Sequence, residues 1–392
     1  MRIFVLLPRV PYPLEKGDKL RAYNQIKQLS KKHEIILCAL NPVRKLNKQK
    51  AFGSLQPYCR SVNFIDIPLP GRIWNMMLAL MSSRPIQTGY FYNQKAARKV
   101  KHLIQQYKPD HLYCQLIRTA EYLKHFNIAK TLDYQDVFSY GMKRRMDRSS
   151  FLARQIFRLE HKRLLAYENK VFDLFDNKTI ISIPDRDLIP HPRKMEITVV
   201  PNGVDHAYFA PRKTEKKFDL VFTGNMGYPP NVDAAGFLAW EIMPIVWKQK
   251  PDARLMLAGA SPDRKVVALR STNIEVTGWM DDIRKAYSSA RIFIAPMRIG
   301  TGLQNKLLEA MSMRIPSVTT LLANDALQAI NGKEILVGES ADELATHILN
   351  LLNNRELYEQ IANNGYNFVK KNYTWPGSTG ILEKLISQTI KK

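Results

Sequence analysis

Acidic residues are scarce in this chain. Against 59 Lys plus Arg stand 35 Asp plus Glu, a formal net charge of +24 that favours anionic partners: phosphorylated substrates, nucleic acid or anionic lipid. Zinc-ligand spacing, an RNP-type aromatic motif and a helix-turn-helix signal are all missing, which sets nucleic acid aside. Cysteine is rarer still. Cys38, Cys59 and Cys114 are far apart and odd in number, which excludes a secreted disulfide framework and points to a reducing cytoplasm. No apolar run approaches the roughly 20 residues that span a bilayer, and the apolar part of MRIFVLLPRV is shorter than a signal-peptide core. The expected location is cytoplasmic, with any membrane contact peripheral and at the inner face of the cell membrane. No Gly-x-Gly-x-x-Gly follows the first strand, which argues against nicotinamide or flavin chemistry.

What is present is core-forming material: 45% hydrophobic and 10% aromatic residues in 392, enough for two α/β domains of similar size. The chain is organised around Arg291 to Thr320. Ile292 to Ala295 read as a strand, Pro296 ends it, and Gly300 and Gly302 open a loop. Leu303, Lys306, Leu307, Ala310 and Met311 then fall at helical spacing, and Ser317 to Thr320 make a second strand. In such a βαβ unit a ligand binds outside the strand ends, where backbone N–H groups of a helix N-terminus favour negative charge. With Arg298 and Lys306 adding positive charge, a diphosphate is the natural occupant, although a purely structural turn has the same spacing.

The N-terminal half repeats the pattern. Arg2 to Leu7 read as a buried strand, a loop runs to Gly17 and Asp18, and a helix follows from Lys19 to Lys31. Asp133 and Asp136 lie at the end of a later strand, where each needs solvent or a partner. The apolar run Ile73 to Met81, with Trp74 between Arg72 and Arg84, reads first as a core helix and second as a helix lying in a headgroup region. From Lys143 to Arg163 the chain is helical in period and strongly basic; Lys143, Arg144, Arg145 and Arg148 suit either solvent or contact with an acceptor or anionic membrane.

GLQNKLLEAMSMRIPSV, together with Pro201-Asn-Gly-Val-Asp205 followed by Tyr208, Phe209 and Pro211, resembles the signatures of the group-1 (family 4) retaining glycosyltransferases of GT-B fold. The order Gly224-Asn-Met-Gly-Tyr-Pro-Pro-Asn-Val-Asp233 is similar to the exopolysaccharide or sortase-system-associated sugar transferase branch of that family. The resemblance implies an α/β GT-B architecture of two Rossmann-like, doubly wound domains facing across a cleft. Residues 1–195 would form the acceptor domain, 196–372 the nucleotide-sugar domain, and 373–392 a helix crossing back to the first.

The implied activity is a retaining hexosyl transfer from a nucleotide diphosphate sugar to a hydroxyl of a glycan or lipid-linked acceptor, in cell-surface polysaccharide synthesis. By the same resemblance, Glu309 grips the nucleotide ribose. The first glutamate of the family's pair, which touches the donor sugar, is replaced by Thr301. Gly17, Gly224, Asn225, Gly300, Thr301, Gly302, Leu303, Gln304 and Asn305 would line the donor, with Trp279 and Met280 beside the base. Lys19, and less strongly Arg21, accompany Gly17. Asp136 would touch the sugar or an acceptor hydroxyl, joining Arg298 and Lys306 as catalytic candidates. No cofactor and no metal are expected, since backbone amides, Arg298 and Lys306 neutralise the leaving diphosphate. An epimerase of the same fold, or a noncatalytic protein that binds nucleotide sugar or membrane, fits the same residues.

Overall fold

The structure, a computed structural model, describes the chain apart from Glu15, Arg44, Arg148, Thr301, Lys391 and Lys392, and apart from the side chains of Asp147 and Ile390. Arg148 and Thr301, both named above, therefore lie outside the described residues. The chain divides into two units, Met1–Pro201 with Ser378–Lys392, and Asn202–Gly377.

Unit 1 holds a seven-stranded parallel sheet of β1 (Arg2–Leu7), β2 (Glu34–Asn41), β3 (Ser61–Asp66), β4 (His111–Gln115), β5 (Lys130–Asp133), β6 (Asn177–Ile180) and β7 (Thr198–Val199). Its order is β3-β2-β1-β4-β5-β6-β7. Strands such as RIFVLL read as continuous apolar runs because helices cover both faces of the sheet. The order reverses between β1 and β4, so the crevice beyond their carboxyl ends is the place where this topology binds ligands. The unit extends to Pro201 rather than 195 because β7 pairs with β6 and the Val200 N–H donates to Ile180 O. The last helix, Trp375–Ile390, lays Leu382 and Ile386 into the core formed by Ile3, Val5, Ile35 and Leu37.

Unit 2 repeats the design. β8 (Phe218–Thr223), β9 (Leu255–Ala258), β10 (Ile274–Gly278), β11 (Ala290–Ala295), β12 (Ser317–Thr319) and β13 (Leu336–Val337) form a parallel sheet ordered β10-β9-β8-β11-β12-β13. Here the reversal lies between β8 and β11. The glycine loops that leave these two strands therefore meet at one crevice.

Two sequence expectations change. The run Ile73 to Met81 covers the end of the helix Leu69–Leu80 and its C-cap Met81, but it is not a core helix: only Ala79 of that helix is buried, while Ile73, Trp74, Met77 and Leu78 are exposed. The basic stretch from Lys143 to Arg163 is two helices, Phe138–Asp147 and Phe151–Phe172, the second starting after Ser150 in extended conformation.

A third correction concerns Arg21. Its side chain has no solvent exposure and grips Asp133 through Nε–Oδ2 at 2.7 Å and Nη2–Oδ1 at 3.0 Å, while Nη1 donates to Val200 O at 2.8 Å. Asp133 also accepts from Tyr113 OH at 3.0 Å and Thr179 Oγ1 at 2.8 Å. This network ties the first helix to β4, β5, β6 and the end of β7, so Arg21 holds the sheet together instead of meeting a phosphate. Replacing Arg21 with Met leaves a buried carboxylate without its cation. Unit 1 should lose roughly 3–5 kcal/mol of stability, read as a lower denaturant midpoint, and Arg21→Lys should not restore it because one ammonium cannot match a two-pronged contact.

Candidate nucleotide-sugar site

The crevice at the β8/β11 reversal is built on close backbone approach. A Cβ added to Gly259, after β9, would fall 1.7 Å from Gly224 O, so the loop after β8 lies directly on the loop after β9. The Gly224 N–H donates to Ala258 O at 3.0 Å. A Cβ on Gly224 would in turn lie 2.7 Å from Asn231 Nδ2 and 3.3 Å from Lys306 Nζ. Asn231, near the start of the helix Pro229–Phe237, is oriented by Nδ2 donating to Asn225 O at 2.9 Å.

Lys306 is the second residue of the helix Asn305–Ser312, which follows the Gly300 and Gly302 loop. Both glycines have positive φ, +130° and +77°, a backbone other residues rarely adopt, which turns the loop sharply into the helix. The Lys306 Nζ donates to Asn231 Oδ1 at 2.6 Å and stands 4.5 Å from the centre of the Phe222 ring. One turn on, Glu309 Oε2 accepts from Tyr287 OH at 2.7 Å, and that hydroxyl lies 2.7 Å from Thr223 Oγ1. Burial pulls the ammonium down to about 7, with Glu309 opposing the shift. Burial also pushes the Glu309 carboxyl up to about 7, against the Tyr287 hydrogen bond and the Lys306 charge. A half-buried lysine above a glycine backbone and at a helix start is an anion site. The neighbouring carboxyl suits neutral hydroxyl partners.

The Pro201 to Asp205 signature has a structural role here. Asn202 Nδ2 donates to Asn305 Oδ1 at 3.0 Å, His206 Nδ1 lies 2.9 Å from Ser312 Oγ, and Ser312 Oγ donates to Phe209 O at 2.8 Å. The segment thus pins both ends of the helix bearing Lys306 and Glu309. Gly203 is required because a Cβ there would fall 2.4 Å from Trp375 N.

Other expected residues are placed differently. Arg298 does not turn to Lys306: its guanidinium pairs with Asp233 at 3.2 Å and Glu241 at 3.1 Å, over the Phe237 ring at 4.2 Å. Two carboxylates thus occupy the charge that was expected to meet a diphosphate. Leu303 is buried, Gln304 and Asn305 are half-buried, and Gln304 Nε2 donates back to Gly302 O at 3.3 Å. Asn225 is exposed, its Oδ1 accepting from the Gly227 N–H at 3.0 Å. Trp279 is exposed and Met280 half-buried just after Gly278 at the end of β10. Asn231, Tyr287 and Thr223 were not anticipated as site residues. The Gly224 to Asp233 motif contains Asn231, but only the fold shows that its amide reaches Lys306.

In unit 1, Gly17 begins the helix Gly17–Leu29, beside an Arg9–Asp18 pair at 3.1 Å, and Lys19 Nζ donates to Tyr12 O at 2.9 Å. Asp136 is half-buried just beyond β5 and its Oδ1 accepts from the Val137 N–H at 2.8 Å, which fixes the turn. Around it stand further ionisable groups. Arg118 lies between the Phe91 and Phe138 rings, at 4.9 and 4.5 Å, and burial, then Arg9, pulls it down to about 10. Glu168 and Asp185 are buried, and burial pushes each carboxyl up to about 7, with Asp136 adding to both shifts. Lys143 and Arg145 are exposed, and Arg144 is half-buried with its guanidinium 5.3 Å from the Tyr140 ring centre. Among the described residues no group of His, Cys, Asp and Glu could hold a metal ion.

Residues 217–354 match the family model for group 1 glycosyl transferases. Unit 2 carries a group 1 glycosyltransferase domain. Over 95% of its length the chain is 23% identical to an uncharacterised 44.6 kDa protein in the cps region of Klebsiella pneumoniae, covering 96% of that protein. Among solved structures it is similar to sucrose-phosphate synthase from Thermosynechococcus elongatus, with TM-score 0.69, 14% identity and 99% of both chains covered. It is equally similar to Anabaena HepE in complex with UDP, with TM-score 0.69, 12% identity and 99% of this chain and 100% of that one covered. The two parallel-sheet units make up the GT-B fold.

In this glycosyltransferase domain Gly224→Ala should push Asn231 away from Lys306. The added methyl should lower the melting temperature of unit 2 through about 1–3 kcal/mol of overpacking, measurable by calorimetry, and should remove the Lys306 to Asn231 contact from a structure of the variant.

Proposed function

We propose that the protein is a retaining glycosyltransferase that moves a sugar from a nucleotide diphosphate sugar to a hydroxyl of a glycan or lipid-linked acceptor in cell-surface polysaccharide synthesis. The observation that carries this reading is the pairing of Lys306 and Glu309 on one helix, above Gly224, at the strand-order reversal of unit 2. The position of a relative in a cps region supports polysaccharide synthesis, and the UDP complex of HepE supports a nucleotide-sugar donor.

In this mechanism the ammonium of Lys306 and the N-terminal amides of its helix take the diphosphate. Glu309 takes the ribose hydroxyls while Tyr287 holds its other side. As the bond from the anomeric carbon to the diphosphate oxygen breaks, its electron pair leaves with the diphosphate, and Lys306 stabilises the charge that develops there. The acceptor oxygen bonds to the same face of the anomeric carbon, and its proton passes to the departing phosphate oxygen, which gives retention without a metal. Gly17 is assigned to the donor, and Asp136 to the sugar or an acceptor hydroxyl. Trp279 and Met280 are assigned to the base, and Arg298 supports the donor loop through Asp233.

The test is incubation of the chain with a panel of nucleotide sugars and polyprenyl-linked acceptors, with products read by mass spectrometry and anomeric configuration by NMR. A glycosylated acceptor of retained configuration supports the reading. Inversion overturns the stereochemistry, turnover of donor without acceptor makes the protein an epimerase, and binding without turnover makes it a noncatalytic binding protein. Glu309→Gln should weaken donor binding about tenfold in calorimetry, the loss of a charge-assisted hydrogen bond. An unchanged affinity counts against the ribose assignment.

The free protein's Lys306 loses its proton near pH 7, and a bound diphosphate requires that proton. Donor affinity should therefore fall as pH rises above about 7, with net proton uptake on binding at higher pH. Lys306→Met should weaken binding and flatten that slope.

A further inference from the structure

The helix Leu69–Leu80 is built inside out. Its polar side chains turn inward: Arg72 Nη1 donates to Tyr90 OH at 2.7 Å and Asn75 Nδ2 donates to Tyr92 O at 2.6 Å. Ala79 packs on Gly89, where an added Cβ would lie 2.5 Å from the Ala79 Cβ. The opposite face presents Ile73, Trp74, Met77, Leu78 and Met81 to solvent, with Trp74 at 66% and Met81 at 89% exposure. A helix in water with its apolar side outward is missing the phase it was built for.

A second apolar stripe adjoins it. On the helix Phe151–Phe172, exposed Leu152, Ile156 and Leu159 follow helical spacing, and Arg163, four residues on from Leu159, lies on the same side. The Arg163 guanidinium donates to Ala79 O at 2.9 Å and Leu80 O at 3.0 Å, the last carbonyls of the inside-out helix. The guanidinium thus ties the end of the inside-out helix to the side of the second helix that carries the stripe.

Charge selects the occupant. No Asp or Glu occurs between Asp66 and Asp110. In Phe151–Phe172 both glutamates are buried, Glu160 accepting from the Ile86 and Gln87 N–H groups, whereas Arg154, Arg158 and Lys162 are exposed at intervals of four. Lys143 and Arg145 extend the basic surface on the helix Phe138–Asp147, which packs against it. A second copy of this chain would bring the same acid-free, positive surface face to face with itself, which is repulsive. A bilayer with anionic headgroups offers both an apolar phase and negative charge.

We propose that this face of unit 1 docks on an anionic lipid surface, with the helix Leu69–Leu80 lying in the headgroup region, Trp74 and Met81 dipping below it, and Arg154, Arg158 and Lys162 against lipid phosphate. The proposal stands on unit 1 alone and does not depend on the glycosyl-transfer reading. Of the residues it uses, none lies in the nucleotide-sugar site.

Flotation of the purified full-length chain with vesicles of phosphatidylcholine alone, or of phosphatidylcholine mixed with phosphatidylglycerol, tests it. The chain should float with the mixed vesicles, less so at high salt, and its tryptophan emission should shift to the blue. Trp74→Ser with Met77→Ser should abolish most of the blue shift and lower partitioning, and Arg154→Gln, Arg158→Gln and Lys162→Gln together should lower it roughly a hundredfold. All these positions are exposed, so the variants should keep the wild-type circular dichroism spectrum. The proposal is overturned if the wild type stays with the soluble fraction, if the folded variants float equally well, or if sedimentation shows a wild-type dimer that Trp74→Ser with Met77→Ser converts to monomer.

Discussion

A lysine and a glutamate one helical turn apart, half withdrawn from water, set the terms for the second unit. Desolvation makes each charge expensive, so both must be held by neutral partners: Asn231 for Lys306, and Tyr287 with Thr223 behind it for Glu309. Those partners come from β8, from the helix after it and from the helix before β11. The pair can exist only where these elements converge. That point is where the strand order reverses, and a parallel sheet cannot fill it with its own crossovers. The site is the unfilled end of a topology, and its polar chemistry is what the surrounding groups can keep half-hydrated.

The two-unit α/β architecture was legible because parallel strands covered on both faces leave continuous apolar runs, and Ile292 to Ala295 or Arg2 to Leu7 cannot easily be read otherwise. That Lys306 and Glu309 share one helix was legible for a similar reason: a glycine loop announces that helix, and the two lie one turn apart in its first half. Arg298 was not. Its sequence position beside the loop suggested a phosphate, but the carboxylates that engage it, Asp233 and Glu241, lie far back along the chain, and only tertiary pairing reveals them. Arg21 and Asp133 were hidden in the same way, each visible as a lone charge near a loop and each belonging to the other across the sheet. Helix Leu69–Leu80 misled for a different reason. Apolar composition predicts removal from water, but it does not say whether protein or another phase does the removing.

The first unit repeats the architecture of the second but solves its crevice with other groups. Where the second unit has one cation and one carboxyl, the first gathers Arg9, Arg118, Asp136, Glu168 and Asp185, several with atoms that lack a hydrogen-bond partner among the described residues. Burial pushes the Glu168 and Asp185 carboxyls up to about 7, because the low-dielectric surroundings disfavour the charged form. The same fold thus carries a sparse pair of ionisable groups in one half and a crowded set in the other.

The contact of Gly259 with Gly224 couples two positions that are distant in sequence. With no room for even one methyl between them, neither can drift unless the opposite peptide retreats, and retreat would pull Asn231 away from the lysine it holds. Two silent, chemically featureless residues are in this way as firmly fixed in identity as the charged ones they underlie. In a very diverged descendant they would be the spelling to look for first.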